Sequence, residues 1–458
     1  MSTPLNRADL NLPRPPVRLV HLGLGAFFRA HQAWYTQHAE ADPADPQWGY
    51  AAFTGRSPAV AELLESQDGL YTLVERAGDG DRYEVIGSVA EARPADDVDR
   101  LRELLAAPGT AAVTITVTEA AYHLGPGLSF DPSVPAVAAE LERLRTGSGA
   151  PATMAGRLVA GLVARRRAGA GPIAVVPCDN LAANGTAARH AVQGLAAAVD
   201  PGLGRWVEEH VSFVSTSVDR ITPRAEEELS GTVARETGRA DRSPVVTEPF
   251  RSWVLSGDFP AGRPDWERAG AVFVDEIEPF ENRKLWLLNG AHSLLAYAGQ
   301  LRGHATVAEA LADPACRSWI EEFWDEACAH LTAPGLDLPG YRTALLERFT
   351  NPRIAHHLAQ IGIDGSAKLQ MRAVPVLTAE RTAGRDGEAA ARMIAAWTAF
   401  LDGRTEVQDT AAEQVLAANA APDRVRALLD LLDPELAAQD DVVARVSRLA
   451  AELAAAPH

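Results

Sequence analysis

Residues 17–39 read VRLVHLGLGAFFRAHQAWYTQHA, and the fold of the first half of the chain is read outward from them. An apolar run closes on Gly23 and Gly25, and Ala26 to Ala39 carries no helix breaker. Strand, glycine turn and helix, in that order, open the βαβ unit of dinucleotide-binding domains. Gly23 permits the tight turn, and Gly25 lets the backbone approach a pyrophosphate at the helix N-terminus. The third glycine of G-x-G-x-x-G is replaced by Phe28, which sets the helix farther from the strand. Two glycines after a strand are also an ordinary turn, so the stretch predicts the fold more firmly than the ligand.

The alternation continues downstream. Tyr50 to Thr54 is a second strand, followed by Gly55-Arg56-Ser57 and a helix from Pro58 to Ser66. No acid stands at the end of that strand, where an NAD site usually places one for the ribose hydroxyls. Arg56 and Ser57 are either partners for a 2′-phosphate or solvated turn residues. Leu70 to Glu75 and Arg82 to Ile86 flank Gly78-Asp79-Gly80 as a hairpin. Ala111 to Val117, Ile173 to Val176 and Val211 to Ser215 are strands, with helices over Asp96 to Leu105 and Met154 to Arg167 between them. This is an α/β pattern with a doubly wound, Rossmann-type sheet. Beyond Phe280 helices dominate: Glu281 to Gln300, Val307 to Ala312, Arg317 to His330, Gly340 to Arg348, Ala389 to Leu401 and Pro422 to the end. The expected domains are residues 1–275, Rossmann-type, and 276–458, mostly α-helical, with the boundary between Val274 and Glu278.

At 458 residues and 47% hydrophobic content the chain can bury the cores of two domains. A net charge of -18 excludes a partner held through phosphates along a basic face, so no nucleic acid is expected. No apolar run reaches the length of a membrane span, and the opening residues lack the apolar core of a signal peptide. Cys178, Cys316 and Cys328 are scattered and form neither a disulfide framework nor a CxxC metal site. A cytoplasmic protein without a bound metal is expected.

Only two of the 43 basic residues are lysines, Lys284 and Lys368. Arginine stays protonated in proteins, whereas a desolvated lysine can release its proton, as general-base work requires. The scarcity also eliminates enzyme classes. Neither lysine follows a glycine, so no phosphate-cradling P-loop exists. The positions four residues before them hold Phe280 and Asp364, not the tyrosine of a short-chain dehydrogenase. GxSxG and HExxH are absent as well.

Glu281, Lys284, Asn289 and His292 share one predicted helix. At about 100° per residue they fall within an arc of about 140°, together with Leu285 and Leu288. Leucines on that face suit a partly buried cleft better than open water. Asn180 lies in Pro177-Cys178-Asp179-Asn180-Leu181, directly after a strand, where open α/β sheets bind ligands. Thr118 and Asp219 stand in the same position after two other strands. The candidate cofactor contacts are Gly23, Gly25, Phe27, Arg29, Arg56 and Thr118.

Taken together these segments resemble the mannitol dehydrogenase family, the polyol-specific long-chain dehydrogenases. The resemblance is carried by HLGLGAFFRAHQAWYT from His21, QDGLYTL from Gln67, TITVTE ending at Glu119 and PCDNLAANG from Pro177. It continues through SVDRITP from Ser217, TEPFRSWV from Thr247, AGRPDW from Ala261, KLWLLNGAHS from Lys284 and DGSAKL from Asp364. It implies hydride transfer between NAD and a C5 or C6 polyol without a metal, mannitol to fructose by default, with NADP left open. A sugar-acid reaction between mannonate and fructuronate is the alternative, and a non-catalytic nucleotide or sugar sensor is the rival of another class. By resemblance Lys284 is the general acid/base, Asn180 and Asn289 bond the developing alkoxide, and His292 orients substrate hydroxyls. Glu281 passes the proton to water, and Asp219 and Lys368 belong to the substrate pocket. The resemblance also points to a monomer.

Overall fold

The computed structural model describes residues 2–351, 353 and 356–455, and the chain divides into two units, Met1–Ile277 and Glu278–His458. The first unit begins with β1 (Val17–Leu22), α1 (Ala26–Ala30), α2 (Gln32–Ala39) and β2 (Gly49–Phe53). There follow β3 (Tyr71–Ala77), β4 (Gly80–Ile86), β5 (Val89–Arg93), α3 (Val98–Ala106), β6 (Ala112–Ile115), α4 (Met154–Ala168) and β7 (Ile173–Pro177). Then come α5 (Asn184–Val199), β8 (Val211–Phe213), β9 (Ser215–Asp219), β10 (Val245–Thr247) and β11 (Ser252–Ser256).

Six parallel strands run β5-β2-β1-β6-β7-β8 across the main sheet. Numbered along the sheet's own strands this is the 3-2-1-4-5-6 order of a doubly wound Rossmann sheet, as expected from the sequence. Both faces are covered, which is why β7 reads as the unbroken apolar run Ile-Ala-Val-Val-Pro and is buried throughout. Alternation in β1 sends Val20 and Leu22 into one core with Leu101, Leu158 and Val192, and Leu19 into the other with Phe28 and Trp34.

Two expectations are corrected in this unit. The helix expected over Ala26 to Ala39 is broken at His31, whose φ of -117° and ψ of -87° lie outside helical geometry. The His31 Nε2 reaches the Ser252 carbonyl at 2.9 Å, a tertiary contact with no local signal. The strand expected over Val211 to Ser215 ends at Phe213, and β9 leaves for a second sheet where it pairs antiparallel with β11. The β3–β4 hairpin forms, and β10 joins it in parallel to make a third sheet.

The second unit is helical, as expected. It contains α6 (Glu278–Arg283), a π-helical segment over Lys284–Gly290, α7 (Ala291–Leu301), α8 (Val307–Ala312) and α9 (Pro314–Cys328). There follow α10 (Leu338–Phe349), α11 (Gly365–Arg372), α12 (Val374–Thr382) and α13 (Glu388–Phe400). The helix expected from Pro422 onward is three: α14 (Arg424–Leu432), α15 (Pro434–Ala437) and α16 (Asp440–Ala455). Asp433 is extended at φ -160° and Pro434 restarts the helix, because its ring cannot follow a preceding turn. The end of the expected tail, residues 456–458, lies outside the described residues. Among the described residues no helix is long and apolar enough to cross a membrane.

Candidate active site

Beyond the C-terminal ends of β1, β6, β7 and β9 lies a cleft of about 700 Å³. Its lining includes Gly23, Gly25, Phe27, Thr118, Cys178 and Asn180. Gly23 has φ +113°, and a Cβ there would sit 2.0 Å from the Thr116 carbonyl oxygen, so only glycine fits between β1 and β6. A Cβ on Gly25 would meet nothing nearer than the Gly23 oxygen at 3.6 Å, so its absence opens the backbone toward the cleft. That open cradle at the start of α1 fits a dinucleotide pyrophosphate. Phe28 occupies the third glycine's place, stacked on His21 of β1 with ring centroids 3.6 Å apart.

Thr116 donates its hydroxyl proton to the Gly23 carbonyl at 2.8 Å. With that proton committed, Thr116 Oγ1 accepts from His21 Nε2 at 3.0 Å, and His21 Nδ1 accepts from the Thr114 hydroxyl at 2.8 Å. Burial lowers the His21 pKa to about 3, so the imidazole is neutral in this network. His21, Thr114 and Thr116 thus hold the glycine turn from below.

The loop bearing Asn180 is equally braced. The Tyr122 hydroxyl donates to Asp179 Oδ2, and the Leu181 amide donates to Asp179 Oδ1 at 3.0 Å. Burial raises the Asp179 pKa, so these bonds are made in a poorly solvated place. Asn184, fully buried, ties the Asp179 carbonyl to the Thr216 backbone. Asn180 itself is exposed at the tip.

Two of the candidate cofactor residues stand elsewhere. Arg29 is not at the cleft: it is buried, and its guanidinium donates to the Gly25 carbonyl and to the Ser243 carbonyl and hydroxyl. Its neighbour Phe27, by contrast, does line the cleft. Arg56 is exposed in the turn after β2, outside that lining. Asp219 ends β9 and is buried.

In the second unit the structure overturns the angular argument. Lys284 to Gly290 is π-helical, so the step of about 100° per residue does not apply, and the wider turn carries i→i+5 bonds. Leu287 and Leu288 are the buried leucines, while Leu285 is half-buried. Lys284 and Asn289 are five residues apart, the span of one such turn, and stand closer around the axis than an α-helix would allow. Tertiary packing supports the segment. A Cβ on Gly290 would lie 2.6 Å from the Phe323 ring of α9, and Trp324 Nε1 donates to the Leu287 carbonyl at 2.8 Å. Arg372 Nη1 donates to the Asn289 carbonyl at 3.2 Å and to Ser293 Oγ at 2.9 Å.

His292 is buried one residue into α7, its ring 4.8 Å from those of Phe349 and His356. Its pKa is well below the usual imidazole value, first through burial and then through His356, Arg348, Arg372 and Lys368. Lys368 on α11 gives two of its protons to the Ile361 and Ile363 carbonyls and is shifted down by burial and by Arg372. Sequence reasoning did not single out Arg372, which braces the segment from one turn after Lys368 in Ala367-Lys368-Leu369-Gln370-Met371-Arg372. Also in this unit, His304, Asp313 and Cys316 bring ligand-type atoms within 4.8 Å of one another. Arg302 and His304 both bond the Asp313 carboxylate, so that group is an ion-pair network already filled.

Sheet order, glycine turn and cleft define a dinucleotide-binding Rossmann-type protein carrying a helical second domain. The chain belongs to the mannitol dehydrogenase family, as the motifs predicted. The family's Rossmann domain matches residues 17–268 and its C-terminal domain residues 276–454. The chain is 38% identical over 445 residues to D-mannonate oxidoreductase of Escherichia coli (strain K12), covering 93% of this chain and 90% of that one. Its fold is similar to that of D-sorbitol dehydrogenase in substrate-free form, with TM-score 0.89, 29% identity and 98% of each chain covered. It is also similar to Pseudomonas fluorescens mannitol 2-dehydrogenase, solved as a ternary complex with NAD and D-mannitol, with TM-score 0.77 and 32% identity over 98% of this chain and 97% of that one.

Proposed function

We propose that this protein is an NAD-dependent oxidoreductase that interconverts a secondary alcohol on a C5 or C6 polyol-type chain with the corresponding ketone. The observation that carries the reading is the π segment, which sets Lys284 and Asn289 one turn apart and is braced by Trp324 and Arg372. Gly23, Gly25, Phe27 and Thr118, which line the cleft, would hold the dinucleotide, and NAD, when bound, would supply the hydride acceptor.

Oxidation removes a hydride from carbon and a proton from the hydroxyl oxygen, leaving the carbonyl. Lys284, in its unprotonated amine form, takes that proton, and Glu281 passes it to water. A group in this role works best with a pKa near the working pH. Asn180 and Asn289 donate to the oxygen as charge develops, each contributing about 2–4 kcal/mol by comparison with oxyanion donors. His292, neutral and buried, bonds a neighbouring hydroxyl, with Asp219 and Lys368 binding the rest of the chain. In this reading no metal is used, because an amine and two amides meet the charge on oxygen.

The test is absorbance at the reduced-nicotinamide band with both coenzymes against polyols, ketoses and sugar acids. Lys284→Ala is expected to lower kcat by at least about 10³-fold with coenzyme binding retained. Lys284→Arg should fail almost as badly, since arginine accepts no proton. Unchanged turnover in either variant overturns the mechanism, and coenzyme binding without turnover in the wild type would make the protein a sensor.

A further inference from the structure

Residues 118–122 read Thr-Glu-Ala-Ala-Tyr, follow the end of β6 and close one turn of 3-10 helix over Glu119–Tyr122. The two ends of this short stretch face different surroundings. Thr118, Glu119 and Ala120 line the cleft. Tyr122 is 3% exposed and belongs to the core that also holds Leu158 of α4 and Val192 of α5. Close packing there fixes the ring, and the hydroxyl at its far end meets the Asp179 carboxylate.

Across that bond, Asp179 stands one residue before Asn180 in the loop that leaves β7. Its other oxygen accepts the Leu181 amide, so the residues on both sides of Asn180 are tied to one carboxylate. Burial and the Asp179 charge push the Tyr122 pKa up, so the hydroxyl keeps its proton and stays the donor. The bond spans 57 residues of sequence and joins two loops that both line the cleft. An exposed loop tip such as Asn180 is ordinarily mobile. A donor that must meet a developing charge is effective only when already aimed, because reorienting it during the reaction forfeits the gain.

We infer that Tyr122 is a positioning residue for hydride transfer: through Asp179 it fixes the direction in which Asn180 presents its amide. This rests on the reading above of Asn180 as a donor to the substrate oxygen. Tyr122 is buried and outside the lining of the cleft, so it acts through its neighbours and not on the substrate. Phenylalanine would fill the same place in the core, so the hydroxyl is present for the bond to Asp179. The end of β7 sets where the Asn180 loop begins, and the Tyr122 bond sets how its tip is held.

The experiment is a double-mutant cycle on kcat with Tyr122→Phe, Asn180→Ala and the two combined. It uses NAD and whichever of mannitol, arabinitol, sorbitol and mannonate the wild type oxidises fastest. Tyr122→Phe is expected to lower kcat about 10-fold, with KM and NAD affinity each within about 3-fold of wild type. Asn180→Ala should lower kcat about 100-fold. Adding Tyr122→Phe to it should cost nothing further, because the amide through which Tyr122 acts is already gone. Equal fractional losses in the two backgrounds overturn the inference, since the hydroxyl then serves the fold alone. So does a Tyr122→Phe enzyme with wild-type kcat, or one whose NAD affinity falls as far as its kcat. If Tyr122→Phe fails to fold, shown by a lost melting transition, Asp179→Asn replaces it in the cycle. Its kcat should fall beside the intact Asn180 and stay unchanged in the Asn180→Ala background; any other pattern rejects the assignment. A slow Asn180→Ala enzyme with an unaffected Tyr122→Phe defeats this inference alone. Wild-type turnover in Asn180→Ala defeats the reading of Asn180 and this inference together.

Discussion

The indole of Trp324 donates to the carbonyl of Leu287 at 2.8 Å, joining α9 to the middle of the π segment across 37 residues of sequence. Both residues are buried, so neither group has water as an alternative partner. The bond therefore ties the geometry of the Lys284-bearing turn to the packing of the helical unit.

Trp324→Phe keeps the ring and removes the donor. Stability in urea titration is expected to fall by about 1–3 kcal/mol, the cost of a buried acceptor left unsatisfied. If the bond also positions Lys284, kcat should fall more than KM rises. A stability loss with unchanged kcat would confine Trp324 to a structural role.

Gly23 and Gly25 lie two residues apart in one turn yet should respond differently. Gly23→Ala places a Cβ against the Thr116 carbonyl at φ +113°, and is expected to cost about 2–4 kcal/mol of stability. Gly25→Ala meets no such obstacle, so its unfolding midpoint should hold while NAD affinity, measured by fluorescence quenching, drops about 10-fold or more. Equal stability losses in the two variants would contradict the distinction.

His21 gives the fold a defined weakness toward acid. Its folded pKa is about 3 against an unfolded value of 6.5, so below pH 6.5 the unfolded chain binds a proton that the native state refuses. The associated stability is whole above pH 6.5 and is lost progressively as the pH falls toward 3, at about 1.4 kcal/mol per pH unit within that window. Unfolding free energies at pH 7, 6 and 5 should decline, and His21→Gln should reduce the slope by about one proton. An unchanged slope would mean that the imidazole is not the group responsible.

Arg56 is exposed in the turn after β2, where no acid stands to bond ribose hydroxyls. If that turn meets the adenosine ribose, Arg56→Ala should weaken NADP binding about 10-fold or more and NAD binding far less. Titration of both coenzymes checks this, and equal effects would leave Arg56 a solvated turn residue.

The candidate site residues were named from local chemistry. PCDN after a strand, the Gly23–Gly25 turn and the spacing of Lys284, Asn289 and His292 are contiguous patterns. What was illegible depended on contacts between distant segments. Arg29 looked like a cofactor contact because it follows the glycine turn, yet Ser243, far along the chain, claims its guanidinium.

By itself the chain of residues determined the doubly wound sheet, the helical second domain and the family, since apolar periodicity, turn glycines and short motifs act over a few neighbouring positions. Tertiary structure alone decided that residues 284–290 coil as a π-helix, that the helix after the glycine turn breaks at His31, and that the strand beginning at Val211 gives way to another sheet. Those outcomes follow from the fit of Gly290 against Phe323, from the bond between His31 and Ser252 and from the pairing of β9 with β11. In each, the partner lies 33 or more residues away, and packing at that distance overrides what the local sequence prefers.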